Sequence, residues 1–247
     1  MAYYDYREGK KRVEEILKNK LKVEKEEKIP RENNFTYENA YYGWVGAIFV
    51  DIRESSNLFS NEDKEKVSKV IRAFTSEVIE ILRLDDNLRE IGIRGDCVYG
   101  IYTTPTINDV YDLADKSFYV NTYMGMLNKL LSQNNLPTIS IGIGVSIDEE
   151  LVVKAGRKGV GINNAVWIGN AVTKASNLSS LGNKNYILPI CFSELAYNNF
   201  IGKLVENNGE IARGWFTRRY NSDYSVYYDA NIIDLTFNNW IMEGMKD

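Results

Sequence analysis

Two aspartates sit where rigid backbone could aim them. Asp51 follows the four apolar residues of AIFV, at the end of a strand-like run. Asp96 fills the turn of the strand pair IGIRGDCVYGIY, forty-five residues later (96 − 51 = 45). If these strands are neighbours, the two carboxylates converge on one point and can hold a pair of divalent ions, an arrangement used for phosphoryl chemistry. Asp is also common at strand ends and in turns, so spacing alone leaves both readings open. Arg53, two residues beyond Asp51, and Arg94, two before Asp96, supply cations beside each acid. Arg94 shares strand parity with Asp96, so the two should leave one face, as a charge pair or with Arg94 as a phosphate ligand. Ser55 and Ser56, in the loop after Asp51, carry hydroxyls suited to phosphate oxygens and equally to capping a helix.

The chain has 247 residues, and none of them is histidine. That removes imidazole general bases, Ser-His-Asp triads and imidazole metal ligation. Any metal must be held by carboxylate and carbonyl oxygen, which suits hard ions such as Mg²⁺ or Mn²⁺. Cys97 and Cys191 are far apart with no CxxC partner, so neither a zinc site nor a disulfide framework is signalled. A net charge of −4 gives no reason to expect nucleic acid as a partner. No apolar run approaches membrane-spanning length and no signal-peptide pattern opens the chain, so a cytoplasmic protein without membrane contact is expected.

The elements that must position these acids can be read from apolar periodicity. Residues 7–28 read as a charge-rich helical arm ended by Pro30. A strand at 44–52 precedes a helix over 62–83, where Val67, Val70, Ile71, Phe74, Val78 and Ile81 recur at helical spacing. The strand pair 91–102 breaks at Gly95-Asp96 and is followed by a long helix over 107–133. Strands at 138–147 and 165–169 lead into a helix over 170–181, and 224–233 is the clearest strand after that. This order predicts an α+β sandwich, a mostly antiparallel sheet with helices on one face. The expected organisation is an N-terminal arm (1–35), a central catalytic domain (36–185) and a C-terminal extension (186–247) that completes the domain or a dimer.

The set IFVDIRESSNLF, IRGDCVYGIY, ISIGIGVSI and VWIGNAVTKASNL resembles the class III nucleotidyl cyclase homology domain. YDYREGKKRVEEIL, IPRENNFTYENAYYGWVGAIFVDIRESS and VWIGNAVTKASNL are closer to the pyrimidine cyclases of Pycsar anti-phage systems. The resemblance covers most of residues 4–181. It implies a ferredoxin-like core and a homodimer with active sites across the interface. It also implies two Mg²⁺ or Mn²⁺ ions per active site, held by Asp51, Asp96 and the backbone carbonyl of Ile52. One ion would activate the ribose 3′-hydroxyl and the other would steady the triphosphate. The implied activity is conversion of UTP, or else CTP, to the 3′,5′-cyclic monophosphate and pyrophosphate, the product acting on a separate effector protein in antiviral defence.

The sequence departs from the family at four positions. The base-contacting lysine of purine cyclases is Gly92 here, and their second base reader is Val166. Both losses fit a smaller pyrimidine base. The ribose-positioning asparagine is Thr173, whose hydroxyl still donates and accepts. The arginine that steadies the transition-state phosphate is Asn177, which supplies no charge. Candidate replacement cations are Arg53, Arg94 and Lys174, then Lys154 and Lys158. Asn163 and Asn164, before the AVWIG strand, offer the amide donor and acceptor that a uracil or cytosine edge requires.

Overall fold

A computed structural model describes residues 3–157, 159, 161–222 and 225–246. The sheet is built around two long strands, β2 (Asn39–Ile52) and β5 (Ile141–Arg157), paired antiparallel so that Asp51 faces Gly142. β3 (Leu88–Arg94) and β4 (Cys97–Thr103) form a hairpin that adds to β2. β7 (Ile190–Ser193), β9 (Val226–Ala230) and β8 (Phe216–Tyr220) extend the far side, giving the order β3-β4-β2-β5-β7-β9-β8. β6 (Ile162–Ile168) folds back on the distal half of β5. All neighbours pair antiparallel except β5 with β7 and a short N-terminal strand with β2.

Alternation along β2 divides the layers. Ile48, Val50 and Ile52 enter the main core with Val70, Phe74, Val78 and Leu82 of α3 (Lys64–Arg83). Leu113, Phe118, Tyr123 and Leu127 of α4 (Ile107–Gln133) and Phe200 of α6 (Glu194–Asn208) complete that layer. The expected helices at 62–83 and 107–133 are both present, and most helical packing falls on one face. The exception is α5 (Ala171–Ser179), which packs on the opposite face over Ala47 and Phe49. Two strand glycines admit it. A Cβ at Gly144 would lie 2.0 Å from the Ala175 carbonyl oxygen, and one at Gly142 would lie 2.2 Å from that of Ser179.

The N-terminal arm differs from its expected form. α1 (Tyr6–Lys18) ends where Asn19 turns to extended backbone, and β1 (Lys22–Lys25) then pairs in parallel with Asn39–Tyr42 of β2. Leu21 and Val23 alternate with lysines, a period of two that the mass of charge conceals. The C-terminal strand also proves shorter than 224–233. A last helix, α7 (Leu235–Met242), packs back on α4.

Candidate active site

The hairpin brings the two acids together. Asp51 lies directly opposite Cys97 in the β2–β4 ladder, which sets Asp96 beside it. The two-residue loop Gly95-Asp96 has glycine in its first position with φ +66°, the conformation that tight hairpin turns demand there. The Asp51 carboxyl is held above the usual carboxylate range, first by burial. Arg53 opposes that, and the Asp96 charge adds to it. Two acids near enough to repel, on a half-open sheet end, are a natural place for a cation.

Arg53 answers part of that need from inside the fold. Its Nη2 contacts Asp51 Oδ2, and its Nη1 donates to the Ser180 carbonyl at 2.9 Å. The side chain is 4% exposed, so it is spent on protein partners and does not project toward a phosphate. No hydrogen bond from the described residues reaches Asp51 Oδ1. That oxygen, the Asp96 carboxylate and the Ile52 carbonyl are all hard oxygen donors, of the kind that would suit Mg²⁺ or Mn²⁺. Among the described residues no group of three or more acidic, cysteine or histidine side chains is arranged to hold a metal ion, so substrate oxygens would have to complete any ion's shell.

Other candidates are placed differently from their expected positions. Ser55 and Ser56 are not in a loop but begin α2 (Ser55–Asn61), because Glu54 takes a left-handed backbone (φ 54°) and turns the chain directly into a helix. They nevertheless line a cavity of about 400 Å³ together with Leu58, Phe59, Gly95 and Asp96. Arg94 is exposed and makes no ion pair with Asp96, since left-handed Gly95 breaks the alternation between them. Thr173, Lys174 and Asn177 lie on the outward face of α5. There Lys174 comes within 3.9 Å of Asp148, and Lys174 and Asn177 line a separate cavity of about 610 Å³ toward β9. Asn163 and Asn164 pair with Gly156 and Ala155 far out on the β5–β6 hairpin. Gly156 is fourteen residues (156 − 142 = 14) along β5 from Asp51's partner Gly142. At about 3.3 Å per residue that is roughly 45 Å of strand. Within one chain, therefore, the asparagines do not meet the acids. Lys154 donates to the Phe35 carbonyl at 3.4 Å, and Lys158 lies outside the described residues.

Two features escape sequence reasoning. Lys184 lies close enough to favour the ionised form of Asp51 and makes no ion pair with any described residue. It sits in a loop where Asn183, Asn185 and Tyr186 all take positive φ and Asn183 donates to the Ile141 carbonyl at 2.7 Å. Asn is tolerant of that backbone, so the GNKN run announces a tight loop, but only the fold reveals what it adjoins. The second is Tyr99, which stacks on Phe49 with ring centroids 5.1 Å apart and donates to Glu90 at 2.7 Å. Trp167 donates to the other Glu90 oxygen, also at 2.7 Å. The Tyr99 ring occupies the room over Gly92, where a Cβ would lie 2.6 Å from its hydroxyl.

Comparison with known proteins accounts for this arrangement. A uridylate cyclase of Treponema porcinum is 55% identical over 244 residues, covering 99% of this chain and 83% of that protein. The chain belongs to the uridylate cyclase family. A second uridylate cyclase, from Gulbenkiania mobilis, is 29% identical over 98% of this chain and 97% of that protein. No protein-family model matches. Among solved structures, an adenylyl cyclase from P. aeruginosa superposes with TM-score 0.61 at 16% identity, covering 77% of this chain and 95% of its own. The guanylyl cyclase Cya2 gives 0.62, also at 16% identity, over 80% and 96%. The class III cyclase fold expected from the motifs is thus the fold observed. None of the described helices of this uridylate cyclase family member is long and apolar enough to cross a membrane.

Proposed function

We propose that this protein converts UTP to 3′,5′-cyclic UMP and pyrophosphate. The observation that carries the proposal is the Asp51–Asp96 pair at the open end of the sheet, in a chain 55% identical to a uridylate cyclase over nearly its whole length. Asp51, Asp96 and the Ile52 carbonyl would hold two divalent ions, Mn²⁺ or Mg²⁺. When bound, these supply Lewis acidity toward the ribose 3′-hydroxyl and the α-phosphate.

The chain's own residues do the rest. Arg53 fixes the Asp51 carboxyl from the buried side and leaves its other oxygen open. Ser55 and Ser56, sharing a cavity with Asp96, are placed to donate to triphosphate oxygens. Lys184, which acts on Asp51 and makes no ion pair with any described residue, takes the charge-stabilising role that Asn177 cannot fill. The Tyr99 ring, held by Glu90 over Gly92, narrows the space available to a base and favours a pyrimidine. Asn163 and Asn164 on the hairpin, which one chain keeps away from its own acids, would complete the site from a second copy in a homodimer, together with Thr173, Lys174 and Asn177 on the outward face of α5. The cyclic product would act on a separate effector in antiviral defence.

The test is incubation of the pure protein with Mn²⁺ and each of the four nucleoside triphosphates, with products identified by mass spectrometry. cUMP supports the proposal. cCMP moves it to a cytidylate cyclase, and cAMP or cGMP to a purine cyclase. No product from any triphosphate leaves a silent cyclase-like sensor.

A further inference from the structure

Helix α5 is held at both ends by groups remote in sequence. At its start, the carboxyl of Glu150 in β5 accepts the Val172 N–H at 3.2 Å, and the Ala171 N–H also reaches it. The helix's own cap residue, Asn170, makes no side-chain cap hydrogen bond. Gly169 gives the carboxyl its room, since a Cβ there would lie 3.0 Å from the Glu150 side chain. At the other end Arg53 donates to the carbonyl of Ser180, the C-cap residue. Helix starts lack acceptors and helix ends lack donors, and a cation at the C-terminus suits the helix dipole.

The need for such a device follows from how α5 sits. Nine residues are too few for an isolated helix to be stable. Where it crosses Gly142 and Gly144 its bed on β5 is bare backbone, and the side chains it buries are mostly small, Ala171, Ala175 and Ser179. Both end groups are sealed from water, Glu150 at 0% exposure, and each leaves one polar atom without a partner, Glu150 Oε2 and Arg53 Nε. Buried polar groups held at that cost could be replaced by apolar side chains if filling space were their only task.

We propose that Glu150 and Arg53 form a two-ended clamp on α5, and that Arg53, gripping Asp51 with its other nitrogen, locks the helix to the acid pair. Both are positioning residues for the cyclase reaction. That catalytic half rests on the function proposed above; the clamping of α5 does not.

The experiment is amide hydrogen exchange over residues 171–180, run beside steady-state kinetics on full-length Glu150→Leu, Glu150→Gln, Arg53→Met and Arg53→Lys. Removing either contact (Leu or Met) should speed exchange in α5 about tenfold or more while α4 stays protected. kcat should fall about tenfold with KM for UTP moving less than about threefold. Glu150→Gln keeps the acceptor oxygen and should restore most of both. Arg53→Lys keeps charge and volume but reaches only one of two partners, so the last turn of α5 must still exchange faster even if the Leu and Met variants do not fold. Unchanged α5 exchange overturns the clamp, as does a rise shared equally by α4. Faster exchange with unchanged kcat, in a protein that makes cUMP, overturns the positioning role. Faster exchange in a protein that makes no cyclic nucleotide refutes the cyclase reading and leaves the clamp standing.

Discussion

Asp51 and Cys97 face one another across the β2–β4 ladder, and Asp96 is the next residue back along the hairpin. A one-residue slip would turn Asp51 into the α3–α4 core, so register and site geometry are a single requirement. Burial, and then Asp51 itself, push the Cys97 thiol up to about 12, so it offers no thiolate ligand at neutral pH. In the proposed site that leaves the two carboxylates, beside the Ile52 carbonyl, as the ligands. Asp51→Asn and Asp96→Asn should each lower cUMP formation by roughly 10²-fold or more. Circular dichroism should be unchanged. Retained activity in either variant would sink the metal assignment.

Lys184→Ala tests the replacement cation. With Arg53 turned inward, loss of this ammonium should lower kcat/KM for UTP about tenfold or more, while Lys184→Arg recovers part of it. A variant within twofold of the parent would return the role to another residue.

Gly144→Ala should be costly for so small a change. The added methyl would meet the Ala175 carbonyl, a backbone atom that cannot rotate away. The expected loss in urea unfolding is at or above the upper end of about 1–3 kcal/mol for overpacking. A loss under about 0.5 kcal/mol would show that α5 shifts freely on its bed.

Glu150 gives a pH signature. Burial first, and the nearby Asp148 last, hold its carboxyl above the ordinary glutamate value of 4.5, against the pull of the Val172 and Ala171 amides. The folded state therefore binds this proton more tightly than the unfolded chain does. Its contribution to stability is fully present below 4.5 and is lost as pH rises through the raised value. Glu150→Gln does not titrate, so the stability of wild type relative to that variant should increase as pH falls from 8 toward 5. Urea titrations at several pH values read this directly, and a flat difference would contradict it.

Tyr99→Ala should relax base selection. Removing the ring clears the room over Gly92 and releases one of the two donors on Glu90. In competition assays the ratio of UTP to ATP turnover should fall about tenfold or more, within the range that pocket shape alone supplies. An unchanged ratio would place base discrimination elsewhere.

The parts of this fold that were legible in the sequence are those where one periodicity dominates. α3 and α4 follow from apolar spacing, and the β3–β4 hairpin follows from Gly95-Asp96 between two apolar runs. β1 was hidden because its short alternation is masked by charge, and pairing with β2 is what makes it a strand. The α2 start was hidden because it depends on a left-handed glutamate, a backbone choice that no side-chain pattern signals. At the site, Asp51 and Asp96 could be picked out because strand ends and tight turns leave local marks. Lys184 and Glu150 could not, since each acts on an element far along the chain, and proximity of that kind exists only once β2, β5 and α5 are stacked.

The separation of Asp51 from Asn163 along β5 has a consequence for populations of this protein. A chain damaged at its acids still carries an intact α5 and hairpin, and a chain damaged there still carries intact acids. In the dimer proposed above, two such cripples joined together would own one sound catalytic centre between them. Defects in the two regions should thus rescue each other when co-expressed, whereas two defects in the same region should not.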